Sequence, residues 1–357
     1  ADKHDTIGPG GVRWRHSGSL FGGRVMIDEP AIWVVYRDPA FCSKIPPHVG
    51  PVWHIAQDTE YMGVNRRGEW VPRNYTPRID RVVTLSQSHA IYTKREHPAL
   101  AEKVCVSSNG IKRELIEEVL ANSPVRNPKR LIFASSPDRG LLPLLLIFQR
   151  AKELVPDLEL HVYYGFNNME TAAKWIAQRA PNKADKPSAA EYNLAKLKDA
   201  LDMPGVTVHG RTAQPELARA WAESGIWCHP SSFTETSCIT CMDAQALGAI
   251  PITLPIWAVG ENVKHGVFVD GPVDTCPLTR ARYTWELVKM ATDPARQDAI
   301  RKEMMPWAQS HFDWERFVTQ WEEWAVTDMV AKDIADLPHV EDTSDNYGVL
   351  TGEEVQA

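Results

Sequence analysis

The stretch IWCHPSSFTETSCITCMDAQALGAI, from Ile226 to Ile250, decides the fold. It begins as a short apolar strand that ends at Pro230 and continues as a loop rich in serine and threonine. The apolar period of the remainder predicts a helix. The loop therefore lies at the carboxyl end of a strand and the amino end of a helix. Ligands bind at this place in open α/β sheets, because unpaired N–H groups and the helix dipole favour an anion there.

Two carboxylates frame this loop. Glu235 precedes the predicted helix, and Asp243 lies inside it, eight positions later. Eight residues make about two helical turns, so Asp243 is expected below the loop on the same face. The two acids would then reach opposite ends of one ligand. An alternative stays open, in which Glu235 only complements the helix dipole and Asp243 is a solvated helix residue.

The segment PSSFTE, the spacing to Asp243, the helix residues AQALG and the strand IPITL together resemble the group 1 retaining glycosyltransferases of the GT-B fold. The resemblance implies an α/β protein with two Rossmann-like domains that face a central cleft and a C-terminal helix that crosses between them. It also implies that Asp243 holds the ribose of a sugar nucleotide and that Glu235 lies beside the transferred sugar. Asp243 is shorter than the glutamate usual in that family.

Length and composition limit the class of protein. A chain of 357 residues suits two domains, and a net charge of −7 argues against a nucleic-acid partner. The six cysteines lie mostly in apolar runs, which suits reduced thiols. No apolar run approaches the roughly 18 residues of a transmembrane helix. We expect a cytoplasmic protein without a transmembrane segment, leave peripheral membrane contact open, and expect, since no Met begins the chain, processing or excision from a longer polypeptide.

The first third predicts an α/β domain over residues 1–121. Strand-like runs at 31–38, 52–58, 81–86 and 103–110 are joined by helical runs. These segments resemble the acceptor-side domain of the same family, abbreviated because GPGGVRWRHSGSLFGG stands where further βα units are usual. A His-Asp pair is frequent there, and Gln57 and Asp58 occupy its place, with His54 nearby. Gln57 cannot carry a proton and can only form hydrogen bonds. All three residues are candidates for acceptor-side contacts.

The rest of the chain predicts a second domain. NSPVRNPK, residues 122–129, is the candidate linker, and strands then alternate with helices through 130–310 as in a doubly wound parallel sheet that binds the nucleotide sugar. Aromatic residues at helical spacing predict a bridging helix over 311–329. Residues 330–357 are acidic and predict a tail.

FASSPDRGL, residues 133–141, follows the first strand of this domain. It resembles the family segment in which an arginine and a lysine hold the diphosphate, with Arg139 at the lysine position, Ala134 at the arginine position, and Ser136 also in reach. Arg139 at a helix amino end can bind phosphate bidentately. The alternative is a surface pair with Asp138 or Glu153.

Further donor contacts are predicted beside these. The backbone N–H groups of the helix start suit a sugar or a phosphate, and Gly210 and Arg211, after another strand, are candidates for base contacts. The helix-start residues are Ser237, Cys238, Ile239 and Thr240. Cys238 and Cys241 also spell C-x-x-C, which is compatible with zinc or redox chemistry, but one such motif is weak evidence. We predict no metal and no cofactor, the nucleotide diphosphate sugar being a co-substrate.

The resemblance implies transfer of a hexosyl group from a nucleotide diphosphate sugar to a hydroxyl of a glycan or glycoconjugate, with retention, in polysaccharide assembly. Catalysis would rest on Glu235 and Arg139. Two alternatives remain. One is a catalytically silent GT-B module that binds a sugar nucleotide or glycan within a larger protein. The other is a GT-B sugar-nucleotide epimerase, for which Asp58 is the nearest candidate base.

Overall fold

The computed structural model describes residues 6–7, 13–14, 31–45, 50–59, 76–122, 124–167, 169–171, 173–174 and 189–335. Most of the glycine-rich segment at 8–23 and the predicted tail beyond 335 lie outside these ranges. Two short strands, Thr6–Ile7 and Arg13–Trp14, pair antiparallel.

The first sheet has four parallel strands in sequence order. They are β1 (Trp33–Tyr36), β2 (Val52–Ile55), β3 (Arg81–Thr84) and β4 (Val104–Val106). Helix α1 (Gln87–Glu96) follows β3, and the side chain of Ser86 caps it by accepting from the amide of His89. Helix α2 (Arg113–Ala121) follows β4.

The second sheet has six parallel strands in the order β10-β9-β8-β5-β6-β7. These are β5 (Asn127–Phe133), β6 (Glu159–Tyr163), β7 (Val206–Gly210), β8 (Ser224–His229), β9 (Ile250–Thr253) and β10 (Val267–Phe268). The helices between and after them are α3 (Leu141–Leu154), α4 (Ala189–Leu201), α5 (Gln214–Glu223), α6 (Ile239–Leu247), α7 (Trp257–Asn262), α8 (Pro277–Ala291) and α9 (Pro294–His311). The strand order reverses between β5 and β8, which makes their carboxyl ends the switch point where such sheets bind ligands.

Helices cover both faces of the second sheet, and its strands β8 and β9 are buried along their whole length. One apolar cluster joins the sheet to α3 and α8, and the other joins it to α5 and α6. The first sheet has its own smaller cluster. Two sheets with separate cores confirm the predicted α/β architecture.

Helix α2 packs on the second domain, although it lies within the range 1–121 that the sequence assigned to the first. Its buried residues Ile116 and Val119 belong to the cluster of α5 and α6. Spacing alone shows that this helix buries one face but not which domain covers it. Similarly, β5 begins at Asn127, inside the stretch 122–129 that two prolines marked as a linker.

Helix α10 (Trp314–Ala335) crosses back to the first sheet, as predicted. Asp328 accepts hydrogen bonds from Trp53 Nε1 at 2.7 Å and from Arg81 Nη2 at 2.6 Å. Trp321 Nε1 donates to Ser107 Oγ at 2.8 Å. The helix continues to Ala335 and so extends into the range predicted as a tail. Within the described ranges, no helix is long and apolar enough to cross a membrane.

Candidate functional site

A cavity of about 500 Å³ lies between the two domains, at the carboxyl ends of β5 and β8. Its size is typical of small-molecule sites. The first domain lines it with Arg37, Gln57, Asp58, Thr59, Leu85 and Asn109. The second domain lines it with Ala134, Ser135, Ser136, Arg139, Tyr164 and residues 233–240. The switch point of the second sheet is therefore also the bottom of the cleft.

Close backbone packing fixes the loops that follow β5 and β8. Gly140 has φ of 97°, and a Cβ there would lie 2.3 Å from the carbonyl oxygen of Pro230. Only glycine combines this backbone conformation with such an approach. The loop that carries Arg139 therefore rests directly on the end of β8, beside the loop that carries Glu235.

Arg139 and Glu235 form an ion pair inside the cavity. The guanidinium also lies 3.9 Å from the centroid of the Phe233 ring, a cation–π contact. Glu235 is buried, and its side chain is only 10% exposed. The alternative partners are used elsewhere, because Asp138 accepts from Ser136 Oγ and Glu153 pairs with Arg150. The surface-pair interpretation of Arg139 is therefore wrong, and an incoming anion must compete with Glu235 for the guanidinium.

The loop before α6 is tied to both domains. Thr236 Oγ1 donates to the carbonyl oxygen of Gln57 at 2.8 Å, and Asn109 Nδ2 donates to Ser237 Oγ at 2.8 Å. From its own domain, Asn262 Nδ2 donates to the carbonyl oxygen of Ser237 at 2.6 Å. These contacts hold the start of α6 against the first domain.

Backbone strain is concentrated at this cavity. Among the described residues, four other than glycine have positive φ, namely Arg37 (69°), Tyr164 (154°), Cys238 (60°) and Trp257 (49°). The first three line the cavity. Such conformations cost about 1–3 kcal/mol each and cluster at functional sites.

Glu261 joins the domains beside the cavity. Its carboxylate accepts from the backbone amides of Gln87 at 2.8 Å and Ser88 at 2.6 Å, which are the unpaired donors at the start of α1. The rings of Tyr92 and Trp257 meet nearby, 5.5 Å between centroids. An acid of the second domain thus caps a helix of the first.

Asp243 does not line the cavity that holds Glu235. It faces a second cavity of about 250 Å³, with Lys112 and Gln214 in the lining, and only Ile239 of the loop borders both cavities. Burial raises the pKa of Asp243 to about 7, and the charge of Lys112 partly opposes this shift. Asp243 is half-buried, so the alternative of a partly solvated helix residue stays open. The ribose role stays a prediction, for a ligand that would extend past Ile239.

The candidates for base contacts lie at the cavity's margin. Gly210 and Arg211 are outside its lining, but the Arg211 guanidinium lies 5.1 Å from the ring centroid of Tyr164, which is part of that lining. Tyr164 connects these candidates to the cavity.

The acceptor-side candidates separate into two groups. Gln57 and Asp58 line the cavity, and the Asp58 carboxylate lies 3.6 Å from Arg37 Nε. His54 does not line it. This histidine is fully buried in β2, with Nε2 3.3 Å from the carbonyl oxygen of Arg37, and burial lowers its pKa to about 4. His54 is therefore neutral and bonded to the backbone of a residue that lines the cleft.

Several lining residues were not predicted from the sequence, and three of them follow strands. Arg37 follows β1, Asn109 follows β4, and Tyr164 follows β6. Each comes shortly after the carboxyl end of a strand of the structure. The rule that ligands bind at that edge could have found all three.

Three buried side chains form the one group in the described residues that could hold a metal ion. A ring nitrogen of His229, a carboxylate oxygen of Glu235 and Cys238 Sγ lie within 4.8 Å of one another. Arg139 already forms an ion pair with the Glu235 carboxylate, and its positive charge opposes the binding of a metal cation there. The absence of a metal stays a prediction.

No protein-family model and no curated protein matches the chain. Solved structures do match. The pneumococcal O-GlcNAc transferase GtfA, in complex with UDP and GlcNAc, gives a TM-score of 0.57 at 11% identity, over 82% of this chain and 56% of its own. Anabaena HepE, in complex with UDP-glucose, gives a TM-score of 0.58 at 14% identity, and the match covers 82% of this chain and 78% of HepE. Sucrose-phosphate synthase from Thermosynechococcus elongatus gives a TM-score of 0.54 at 16% identity, and the match covers 78% of this chain and 68% of the synthase.

The likeness to these enzymes shows that the chain has the GT-B fold, with two Rossmann-like domains. The chain spans only 56% and 54% of the lengths of the two GtfA structures it matches.

Proposed function

We propose that the chain is a glycosyltransferase that moves a hexosyl group from a nucleotide diphosphate sugar to a hydroxyl of a glycan or glycoconjugate, with retention. The observation that carries this is the cleft cavity at the switch point of a GT-B fold, where Arg139 meets the start of α6. The second domain would bind the donor, and the first would present the acceptor. Because GtfA and HepE were solved with UDP, UDP is the nucleotide to test first.

Donor binding would exchange the partners of Arg139. The guanidinium would leave Glu235 for the diphosphate, where two parallel charge-assisted hydrogen bonds replace the single ion pair. Glu235, released, would accept hydrogen bonds from hydroxyls of the donor sugar. The backbone N–H groups from Ser237 to Thr240 would add donors to the same anion.

In the reaction, the bond between the anomeric carbon and the diphosphate oxygen breaks, and the diphosphate keeps the electron pair. Arg139 stabilises the charge that develops on it. The acceptor oxygen bonds to the anomeric carbon on the same face. Its proton passes to the departing phosphate oxygen, since Gln57 cannot accept one.

One observation favours a silent module instead. Both cations of the cavity lining face carboxylates, Arg37 facing Asp58 and Arg139 facing Glu235. The four charges cancel, so the cavity offers a diphosphate no net attraction. The epimerase alternative rests on Asp58, which lines the cavity and could serve as its base.

Calorimetry with UDP and UDP-sugars tests the proposal. Arg139→Ala should weaken binding of both by about 1.5–3 kcal/mol, the usual loss of a charge-assisted contact. Glu235→Gln frees the guanidinium, so it should keep UDP affinity while losing turnover. Asp243→Asn should weaken UDP and UDP-sugar equally, because both carry the ribose. Arg150→Ala, which removes an exposed arginine paired with Glu153, is the matched control.

UDP release from UDP-sugars separates the alternatives. A transferase releases UDP faster than its Arg139→Ala variant, a silent module binds without release, and an epimerase returns an isomeric sugar nucleotide of unchanged mass. If Arg139→Ala bound UDP as tightly as the parent chain, the diphosphate site would be misplaced.

A further inference from the structure

The thiols of the C-x-x-C motif take no part in the proposed transfer. Cys238 lies just before α6, and Cys241 lies in its first turn. The Cys241 amide donates to the carbonyl oxygen of Cys238 at 3.0 Å. A turn closed by this bond brings its end Cα atoms within about 7 Å, and disulfides need Cα atoms roughly 4.4–6.8 Å apart. The backbone therefore places the two Cα atoms close to the separation that a disulfide needs.

Cys238 is reachable from the cleft, and Cys241 is not. Cys238 is 7% exposed and lines the 500 Å³ cavity, whereas Cys241 is fully buried behind it. A small oxidant that enters the cleft meets Cys238 first. This is the usual arrangement of an attacking thiol with a resolving thiol behind it.

A buried imidazole lies beside the Cys238 thiol. A ring nitrogen of His229 lies within 4.8 Å of Cys238 Sγ. His229 is fully buried, and neither of its ring nitrogens has a hydrogen-bond partner in the described part of the chain. Burial and the charge of Arg139 lower its pKa to about 3, so the imidazole is neutral and can accept a hydrogen bond from the Cys238 thiol.

The backbone gives a second reason to assign a role to this thiol. At φ of 60°, position 238 suits glycine, yet the chain places a cysteine there. Its Sγ contacts Thr240 Oγ1 only at 3.5 Å. This weak contact does not offset the backbone strain at position 238.

We propose that Cys238 is a thiol-oxidation site in the cleft and that Cys241 resolves it, forming a reversible disulfide that closes the donor site. The oxidant is a small disulfide of the glutathione class. The Cys238 thiolate attacks one of its sulfurs, the oxidant's S–S bond breaks, and one thiolate leaves with the electron pair. That departing thiolate takes the proton of Cys241, whose pKa burial raises, and Cys241 Sγ then attacks Cys238 Sγ and expels the second small thiolate, which is protonated by the proton that Cys238 gave up. Two protein thiols are oxidised by two electrons, and the small disulfide is reduced to two thiols.

The new bond would pull on the loop that holds the donor. Cys241 Sγ now accepts from Gln245 Nε2 at 3.4 Å, and that amide also donates to the carbonyl oxygen of Asn262. Asn262 in turn holds Ser237. Turning Cys241 Sγ toward Cys238 breaks the first of these contacts and displaces the loop. The loss of donor binding rests on the proposed function, whereas the disulfide itself does not.

The experiment incubates the 357-residue chain with oxidised glutathione and compares intact mass and peptide maps before and after treatment. We expect loss of two hydrogen atoms, located to the peptide with Cys238 and Cys241 and reversed by a thiol reductant. Cys241→Ser should instead retain one glutathione on Cys238. Cys238→Gly, which suits the backbone at that position, should take up none there. Cys276→Ser, at a partly exposed thiol, should behave as the parent.

UDP affinity of the reduced and oxidised chains tests the consequence, with at least about a tenfold loss expected on oxidation. An oxidised chain without the Cys238–Cys241 disulfide would overturn the site, and a disulfide with unchanged UDP affinity would overturn its effect on the donor site. If the reduced parent did not bind UDP, the proposed function would fail, and the peptide maps alone would decide the oxidation site.

Discussion

At the scale of single residues, Asp243 gives the clearest link between burial and pH. Its pKa in the folded chain is about 7, above the value of about 4 for an exposed aspartate. The folded state therefore holds the proton more tightly than the unfolded state. The stability this supplies is complete below about pH 4 and is lost as the pH rises through about 7.

Asp243→Asn should remove this loss, because the amide stays neutral at every pH. Because the pKa rises by about three units, we expect the free energy of unfolding of the variant to exceed that of the parent by up to about 4 kcal/mol above pH 7, and to equal it near pH 4. Urea denaturation at both pH values is the measurement. Asp202→Asn, at an exposed helix end, is the control and should show no such difference. Equal stability of Asp243→Asn and parent at high pH would mean that Asp243 is ionised without penalty.

At the scale of elements, the loops after β5 and β8 depend on one close approach. Gly140 and Gly210 both have positive φ, but they differ in free space. A Cβ at Gly140 would meet the backbone of Pro230 at 2.3 Å, whereas a Cβ at Gly210 has nothing within 4 Å. An added Cβ would therefore cause conformational strain at both positions, but it would collide with other atoms at Gly140 alone.

Gly140→Ala should therefore destabilise the chain by about 3 kcal/mol or more, against about 1 kcal/mol for Gly210→Ala. Thermal unfolding of the two variants beside the parent measures the difference. Because the collision would move the loop that carries Arg139, Gly140→Ala should also lose UDP binding at a temperature where it remains folded. Similar losses of stability in both variants would show that the loops can separate at little cost.

The same elements show how far the sequence could predict the site. The strand, loop and helix of residues 226–250 were predictable because their patterns are local, and the switch point followed from the strand order they implied. The domain against which α2 packs was not predictable. The apolar spacing of Ile116 and Val119 indicates that the helix has a buried face, but it does not indicate which domain covers that face. The pairing of Arg139 with Glu235 was likewise missed, since it depends on how two distant loops meet.

At the scale of the whole molecule, the carboxylate of Asp328 is a central link between α10 and the first domain. Asp328 accepts from Trp53 Nε1 and from two nitrogens of Arg81, and the guanidinium also lies 4.9 Å from the Trp324 ring centroid. The Arg81 and Asp328 side chains are only 18% and 16% exposed. Removing one partner would leave the other charge poorly solvated.

Asp328→Ala should lower the free energy of unfolding by about 2–3 kcal/mol, somewhat less than for a fully buried pair. Asp298→Ala, which removes an 80% exposed partner of Arg301, should change it by less than about 0.5 kcal/mol. Urea titration followed by tryptophan fluorescence suits the test, because Trp53, Trp321 and Trp324 meet at this junction. A small effect of Asp328→Ala would show that aromatic packing alone holds α10 in place.

The return of α10 also sets an order of events during synthesis on the ribosome. The hydrogen bond between Trp53 and Asp328 joins residues 275 positions apart in the chain. At cellular elongation rates, synthesis of the intervening residues takes roughly 15–55 seconds, and the bond can form only after that time. The second sheet and its helices, by contrast, come from one continuous run that ends at His311. We therefore expect the domain translated later to complete its fold first. Until α10 leaves the ribosome, the surface of the first domain around Trp53 stays exposed to chaperones. A chain that ended before Trp314 would leave this surface exposed permanently.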